Sequence, residues 1–79
     1  MFVLYIYDIK AKDKKSFNRT KRLFYYHLNQ LSLNKNSWKT KSVLAVPLKM
    51  EKTMDVFFRR FGVSIIVYKT TITSIEELE

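Results

Sequence analysis

The chain has 79 residues, no cysteine and a formal net charge of +8, with 15 Lys and Arg against 7 Asp and Glu. This length allows one hydrophobic core, and a composition that is 47% hydrophobic excludes a disordered chain. The absence of cysteine excludes disulfide bonds, thiolate catalysis and cysteine-ligated metal sites. We expect a single folded domain over residues 1–79, with the cytoplasm as the default location.

Acidic residues are concentrated at the carboxyl end, where Glu76, Glu77 and Glu79 occur. The rest of the chain has only four acids, which are Asp8, Asp13, Glu51 and Asp55. Such an excess of positive charge favours a polyanionic partner, because clustered cations release counterions from phosphate backbones. We therefore predict binding to nucleic acid, DNA or RNA, and a generic basic protein is the alternative. No apolar stretch approaches the length of a bilayer-spanning helix, so no membrane partner is expected.

The first element is the run FVLYIYDI, Phe2 to Ile9, which is apolar and aromatic except for Asp8. This composition predicts the central strand of a sheet. Alternation places Phe2, Leu4, Ile6 and Asp8 on one face and Val3, Tyr5, Tyr7 and Ile9 on the other. A carboxylate is costly to bury without a partner, so Asp8 needs a cation, backbone donors or water.

A basic loop and a helix follow. Asp13, or alternatively Ser16, is expected to cap a helix that runs to about Leu31 or Leu33. Its apolar stripe is Phe17, Thr20, Phe24, Leu28 and Leu31. Its basic face carries Lys15, Asn18, Arg19, Arg22, Tyr26 and Asn29. This face is either a solvated helix surface or a phosphate-binding surface.

The middle of the chain predicts a strand pair. After a polar break at residues 34–37, Trp38 to Val46 is an extended segment that a bend near Ser42 would split in two, and Pro47 should end the sheet. His27, the only histidine, lies beside the apolar stripe, so we interpret it as a half-buried packing residue. With no second histidine and no cysteine, a zinc site is not expected.

The second half predicts another helix and a last strand. Lys49 to Phe61 has a helical stripe formed by Met50, Met54, Phe57, Phe58 and Phe61. Gly62 is expected to stop this helix in a left-handed conformation. Val63 to Ile72 predicts the final strand. Residues 73–79 are a tail that forms a helical turn, a frayed end or an arm to a second subunit.

The order strand, helix, strand pair, helix, strand predicts an α+β fold of the ferredoxin-like (split βαβ) type. In this fold both helices cover one face of an antiparallel sheet. The other face would then expose bulky apolar residues of Phe2 to Ile9. Large exposed apolar patches usually mark interfaces, so we predict a homodimer that packs through the sheets.

The strand ending in Tyr7, Asp8 and Ile9, the charged loop, the arginine near the helix start and the kink at Ser42 and Val43 together resemble a known family. It is the small CRISPR-associated subunit that partners the integrase in spacer acquisition; the virulence-associated VapD toxins share its fold. The resemblance implies a ferredoxin-like homodimer that binds double-stranded DNA beside an integrase subunit in antiviral defence. Some members are magnesium-dependent endonucleases (endoribonucleases when the substrate is RNA). The resemblance assigns the catalytic aspartate to Asp8 and the helix-start arginine to Arg19.

The chemistry of such an enzyme depends on Asp8. Metal-assisted phosphodiester cleavage needs carboxylate oxygens to hold a hard cation, and Asp8 is the only acid placed to do so. One carboxylate per chain is too few, so a magnesium ion would require two copies of Asp8 across a dimer axis. Alternatively, Asp8 accepts backbone hydrogen bonds and caps the following loop.

The candidate sites are therefore two. Asp8 is the candidate catalytic and metal-binding residue. The candidate nucleic-acid-binding residues are Tyr7, Lys10, Lys12, Lys14, Lys15, Arg19 and Arg22. Tyr7 has packing as its alternative role. The alternative function is a non-catalytic protein-interaction subunit whose basic surface meets an acidic partner.

Overall fold

The computed structural model describes residues 1–33 and 37–78, so the polar break predicted at 34–37 lies outside the described residues except for Ser37. The strands in this part of the chain are β1 (Phe2–Ile9), β2 (Trp38–Thr40), β3 (Val43–Pro47) and β4 (Ile65–Ile72). The helices are α1 (Lys14–Asn29) and α2 (Glu51–Arg59), and 3-10 turns occur at Leu48–Met50 and Gly62–Ser64. The predicted α+β class is confirmed.

The four strands form one antiparallel sheet in the order β2-β3-β1-β4. β1 is central, as predicted, because it pairs with both β3 and β4. The split near Ser42 is also confirmed, since residues 41 and 42 form the turn between β2 and β3. This strand order is compatible with a ferredoxin-like arrangement.

The core lies between the sheet and both helices. Its buried side chains include Val3, Tyr5 and Tyr7 from β1, Leu44 and Val46 from β3, Ile65 from β4, Phe24 and Leu28 from α1, and Met54, Phe57 and Phe58 from α2. The ring of Phe24 is central, with its centroid 5.0 Å from that of Tyr7 and 5.3 Å from that of Phe57. Both helices therefore cover the same face of the sheet. The predicted helical stripes supply core residues from both helices, except that Phe17, the first residue of the α1 stripe, is 37% exposed.

The sheet face opposite the helices, which we call the open face, is largely apolar, and in the described residues its side chains are exposed or partly exposed except for the buried Ala45. The register places on it Phe2, Leu4, Ile6, Val43, Ala45, Ile66, Tyr68, Thr70 and Ile72. Ile6 is 45% exposed and Tyr68 opposite it is 69% exposed. The exposure of one alternation set of β1 is as expected from the sequence.

The first helix begins as predicted and ends early. The Asp13 carboxylate accepts a hydrogen bond of 2.7 Å from the Ser16 backbone N–H, which makes Asp13 the N-cap. α1 ends at Asn29, two residues before the earliest expected end, and Ser32 then has a positive φ of 53°. This left-handed residue turns the chain away from the helix axis.

The second helix and the last strand also differ from the prediction at their ends. α2 stops at Arg59, and Gly62 has the expected left-handed φ of 53°. Because residues Gly62–Ser64 form a 3-10 turn, β4 begins at Ile65 and not at Val63. Val63 is consequently 94% exposed. The tail forms no helix or strand over residues 74–78.

A polar network joins α2 to β1 and β4. The Tyr5 hydroxyl donates to Asp55 Oδ1 at 2.8 Å, and the Glu51 carbonyl oxygen lies 3.2 Å from it as a second, longer acceptor. Lys69 Nζ donates to Asp55 Oδ2 at 2.6 Å and to Glu51 Oε2 at 3.0 Å. Burial followed by the Asp55 hydrogen bond raises the pKa of Tyr5, so its hydroxyl stays protonated and keeps donating. Burial alone would raise the pKa of Asp55, but the hydrogen bonds from Lys69 and Tyr5 outweigh it and lower that pKa.

We predict that Asp55→Asn lowers the free energy of unfolding at neutral pH. The difference in this free energy between the variant and wild type should become smaller at acidic pH. A carboxyl with a depressed folded pKa stabilises the fold above its unfolded pKa of about 3.9, and this contribution is lost as pH falls through the folded pKa. Urea unfolding from neutral pH to about pH 3 measures the difference. Glu77→Gln, which removes a carboxylate from the exposed tail, is the control and should match wild type at neutral pH. A constant Asp55→Asn difference across this pH range would contradict the prediction.

Candidate functional site

Asp8 lies at the end of β1 on the open face, opposite Ile66 of β4. Its side chain is 68% exposed, and its Oδ2 atom is 3.0 Å from Lys10 Nζ. Of the partners expected from the sequence, a cation is the one observed. The carboxylate is therefore accessible to other molecules, with one neighbouring positive charge.

A shallow cleft of about 160 Å³ adjoins Asp8 between β1, α1 and the β2–β3 turn. Its lining includes Phe17, Lys21, Tyr25 and Lys41. The turn is held in place from two sides, because the Tyr7 hydroxyl donates to the Lys41 carbonyl at 2.9 Å and the Tyr25 hydroxyl donates to it at 3.1 Å. The cleft thus combines aromatic rings with two lysines, at the end of the strand that carries Asp8.

Lys21, Tyr25 and Lys41 were not among the candidate residues from the sequence. One signal could have found two of them: Lys21 and Tyr25 follow Phe17 of the apolar stripe at intervals of four residues, so they lie along the edge of that stripe towards the basic face. Lys41 had no comparable signal, since only the folded β2–β3 turn brings it against α1.

Tyr7, a candidate nucleic-acid-binding residue, lies in the core. It is only 5% exposed, and its ring packs against Phe24 and Phe58. Burial, and after it the neighbouring Tyr25 hydroxyl, raises the pKa of Tyr7, which keeps the hydroxyl protonated as a donor to Lys41. These contacts correspond to the packing role that the sequence left as the alternative.

The other candidate binding residues lie on the surface. Lys10, Lys12, Lys14, Lys15, Arg19 and Arg22 are all exposed, and we call this set the α1 basic surface. Lys10 contacts Asp8, but in residues 1–33 and 37–78 none of the other five forms an ion pair. Lys15, Arg19 and Arg22 lie on one face of α1 because their spacings are four and three residues. The surface begins where β1 ends, next to Asp8.

The side chains of one chain do not fit a magnesium site. Within the described residues, no group of three or more His, Asp or Glu side chains could hold a metal ion. Magnesium requires near-octahedral oxygen coordination, and Asp8 supplies one carboxylate with a lysine beside it. A metal role for Asp8 would thus need oxygen ligands from outside this chain.

No protein-family model, curated protein or solved structure matches this chain. In the part of the chain that the structure describes, no helix is both long and apolar enough to cross a bilayer. The fold and the site define a small α+β protein with a basic surface beside an exposed aspartate.

We predict that Tyr7→Phe lowers stability by about 1 kcal/mol, because it removes a partly buried hydrogen bond and keeps the ring. Nucleic-acid affinity should stay unchanged, since the hydroxyl points at the Lys41 carbonyl. Thermal unfolding and a binding titration measure the two quantities. Tyr26→Phe, at a side chain that is 60% exposed, is the control for stability and should leave the unfolding temperature unchanged. Lost affinity at unchanged stability would instead assign Tyr7 to binding.

Proposed function

We propose that this protein is a nucleic-acid-binding homodimer of the CRISPR-associated spacer-acquisition type, with the ferredoxin-like fold that its topology suggests. One observation carries the binding proposal: five exposed cations of the α1 basic surface have no carboxylate partner in the described residues. Solvated cations on a regular helix face gain affinity for polyanions through counterion release.

The spacing of these cations suits a phosphate backbone. Lys15 and Arg22 are seven residues apart, which corresponds to about 10 Å along the helix axis. This is roughly three nucleotide steps, at about 3.4 Å per step on one strand of a duplex. Contacts of this kind position a protein on nucleic acid and carry no sequence information. The proposed binding is therefore driven by charge and is independent of sequence.

The homodimer proposal is supported by the open face. Ile6 lies in its middle, with Val43 and Tyr68 on the neighbouring strands, and all three are at least partly exposed. Apolar surface of this extent on a small domain favours association, and a two-fold axis would make the face its own partner. The basic face of α1 belongs to the helix layer on the opposite side of the sheet, so dimerisation would leave it accessible.

We predict that Lys15→Ala with Arg22→Ala weakens binding to duplex DNA and reduces the slope of log affinity against log salt by about 2 for each bound copy. A fluorescence titration at several salt concentrations measures both. The matched control is Lys49→Ala with Lys52→Ala, which removes equal charge beyond Pro47, at the opposite end of the sheet. If the control variant weakens binding by the same amount, the binding depends on the net charge of the protein and not on the α1 basic surface. Absence of salt-sensitive binding would favour the alternative of a protein-interaction subunit.

We predict that Ile6→Asp abolishes the homodimer, because a carboxylate would become buried without a partner at the middle of the interface. Sedimentation velocity measures the mass, and circular dichroism checks that the monomer stays folded. Val63→Asp, at a position that is 94% exposed in a turn, introduces the same charge and should leave the dimer intact. A wild-type protein that is monomeric at all concentrations would refute the proposed dimer.

A second candidate function is a magnesium-dependent endonuclease with Asp8 as the catalytic residue. The supporting observation is that the exposed Asp8 carboxylate lies on the open face, so the proposed dimer would bring two copies to one interface. We predict that Asp8→Asn removes magnesium-dependent cleavage of RNA or DNA while nucleic-acid affinity is retained. Cleavage assays with and without magnesium test this. Full activity of Asp8→Asn would reject the role, and an inactive wild type would leave nucleic-acid binding as the function.

A further inference from the structure

A second group of cations lines a groove between the end of α1 and the outer face of α2. The volume of the groove is about 530 Å³, and the charged residues that line it are Lys49, Lys52 and Arg60. Leu31 and Val56 also line it. This groove lies apart from the α1 basic surface, because Lys49 follows the end of β3 whereas Lys10 follows the opposite end of β1.

The sequence builds this groove through helical spacing. Lys49, Lys52, Val56 and Arg60 are three or four residues apart, so they lie along one side of α2 and its preceding turn. None of the groove-lining residues is acidic, and within the described residues none of the three cations forms an ion pair. The groove is therefore a positively charged channel with apolar side chains in its wall.

The apolar side chains indicate what kind of anion the groove fits. Val56 is 49% exposed between the cations, and the partly buried Leu31 packs at the edge of the core. A bare phosphate would leave this apolar surface in water. A peptide with both carboxylates and apolar side chains would use the whole groove, since burial of apolar area adds to the charge attraction.

The chain itself contains such a segment at its carboxyl end. Residues 74–79 read SIEELE, in which three glutamates accompany Ile75 and Leu78. In extended form the segment spans about 20 Å, against about 16 Å from Lys49 to Arg60 along the helix. In its own chain Leu78 is 92% exposed, and neither Glu76 nor Glu77 forms an ion pair in the described residues.

We propose that the groove between α1 and α2 binds the carboxyl-terminal segment 74–79 of a second copy of this chain. The glutamates pair with Lys49, Lys52 and Arg60, and the two apolar side chains of the segment cover Val56 and Leu31. This contact is separate from the sheet-face dimer and from nucleic-acid binding. It links copies through charge, so salt weakens it.

The first test uses a synthetic peptide of residues 73–79 added to the isotope-labelled full chain, followed by NMR. We expect saturable shifts that are centred on Lys52, Val56 and Arg60. Lys49→Glu with Lys52→Glu should weaken binding by about tenfold or more. A peptide with lysine in place of Glu76 and Glu77 should bind this variant and not the wild type. Because the charges are exchanged on both sides, recovery by the exchanged pair requires direct contact.

Two controls separate this contact from general attraction between charges. Lys14→Glu with Lys15→Glu makes the same charge change on the α1 basic surface and should leave peptide binding intact. A scrambled peptide of identical composition should bind less well, because its apolar and acidic residues no longer match the groove. Equal binding of the scrambled peptide, equal loss in both variants, or failure of the exchanged pair would overturn the proposal.

The second test asks whether the segment comes from another copy. The sequence has no cysteine, so Ser74→Cys offers a single attachment point for a paramagnetic label. Chains that carry the paramagnetic label are mixed with isotope-labelled chains that lack it. We expect the NMR signals of groove residues in the isotope-labelled chains to lose intensity, and added salt should make this loss smaller. Signal loss confined to the open face would indicate only the sheet dimer. A chain that carries both labels tests for contact within one molecule. Signal loss at the groove in that chain, with none in the mixture, would place the contact inside one molecule. Either result overturns the proposal.

Discussion

The structure depends on the two-sided character of β1. Its Val3, Tyr5 and Tyr7 side chains enter the core, while Phe2, Leu4 and Ile6 point to the open face. The described residues form two α-helices, which make one layer on this sheet, and both helices contact the side that holds the tyrosines. The uncovered apolar face therefore follows from a strand that is apolar on both sides in a domain with only two layers.

Two tyrosines of β1 fix different parts of the molecule to this strand. Tyr5 and Tyr7 point to the same side of the sheet, about 7 Å apart. The Tyr5 hydroxyl bonds to Asp55 of α2, whereas the Tyr7 hydroxyl bonds to the turn that Tyr25 of α1 also contacts. Each tyrosine ring buries apolar surface against the helices, and each hydroxyl forms a directional hydrogen bond. The rings therefore hold the helices on the sheet, and the hydroxyls help to fix their orientation. The Tyr7 hydroxyl therefore fixes the position of the β2–β3 turn, which lines the cleft beside Asp8.

The parts of the fold that could be predicted are those encoded by local patterns. The limits of β1, the capping role of Asp13 and the left-handed Gly62 depend on residues within a few positions of one another. The network of Tyr5 with Asp55 joins residues 50 positions apart, and no periodicity in the sequence signals it. The early end of α1 and the burial of Tyr7 were likewise decided by tertiary packing. In the candidate site, the basic helix face could therefore be predicted, but the contribution of Lys41 could not.

Charge pairing inside the chain uses up its acids outside the tail and leaves most of its cations without a carboxylate partner in the described residues. Outside the tail the chain has four acids, and each is engaged in the described structure. Asp13 caps α1, Asp8 contacts Lys10, and Glu51 and Asp55 both bind Lys69. These contacts neutralise Lys10 and Lys69, whereas the other five cations of the α1 basic surface and the three of the groove beside α2 form no ion pair in the described residues. The carboxylates that remain belong to the tail, and they are too few for both surfaces. A sequence-independent polyanion suits the solvated α1 face, and a short acidic peptide with apolar side chains suits the groove, so the two surfaces would select different anions by the apolar area they offer.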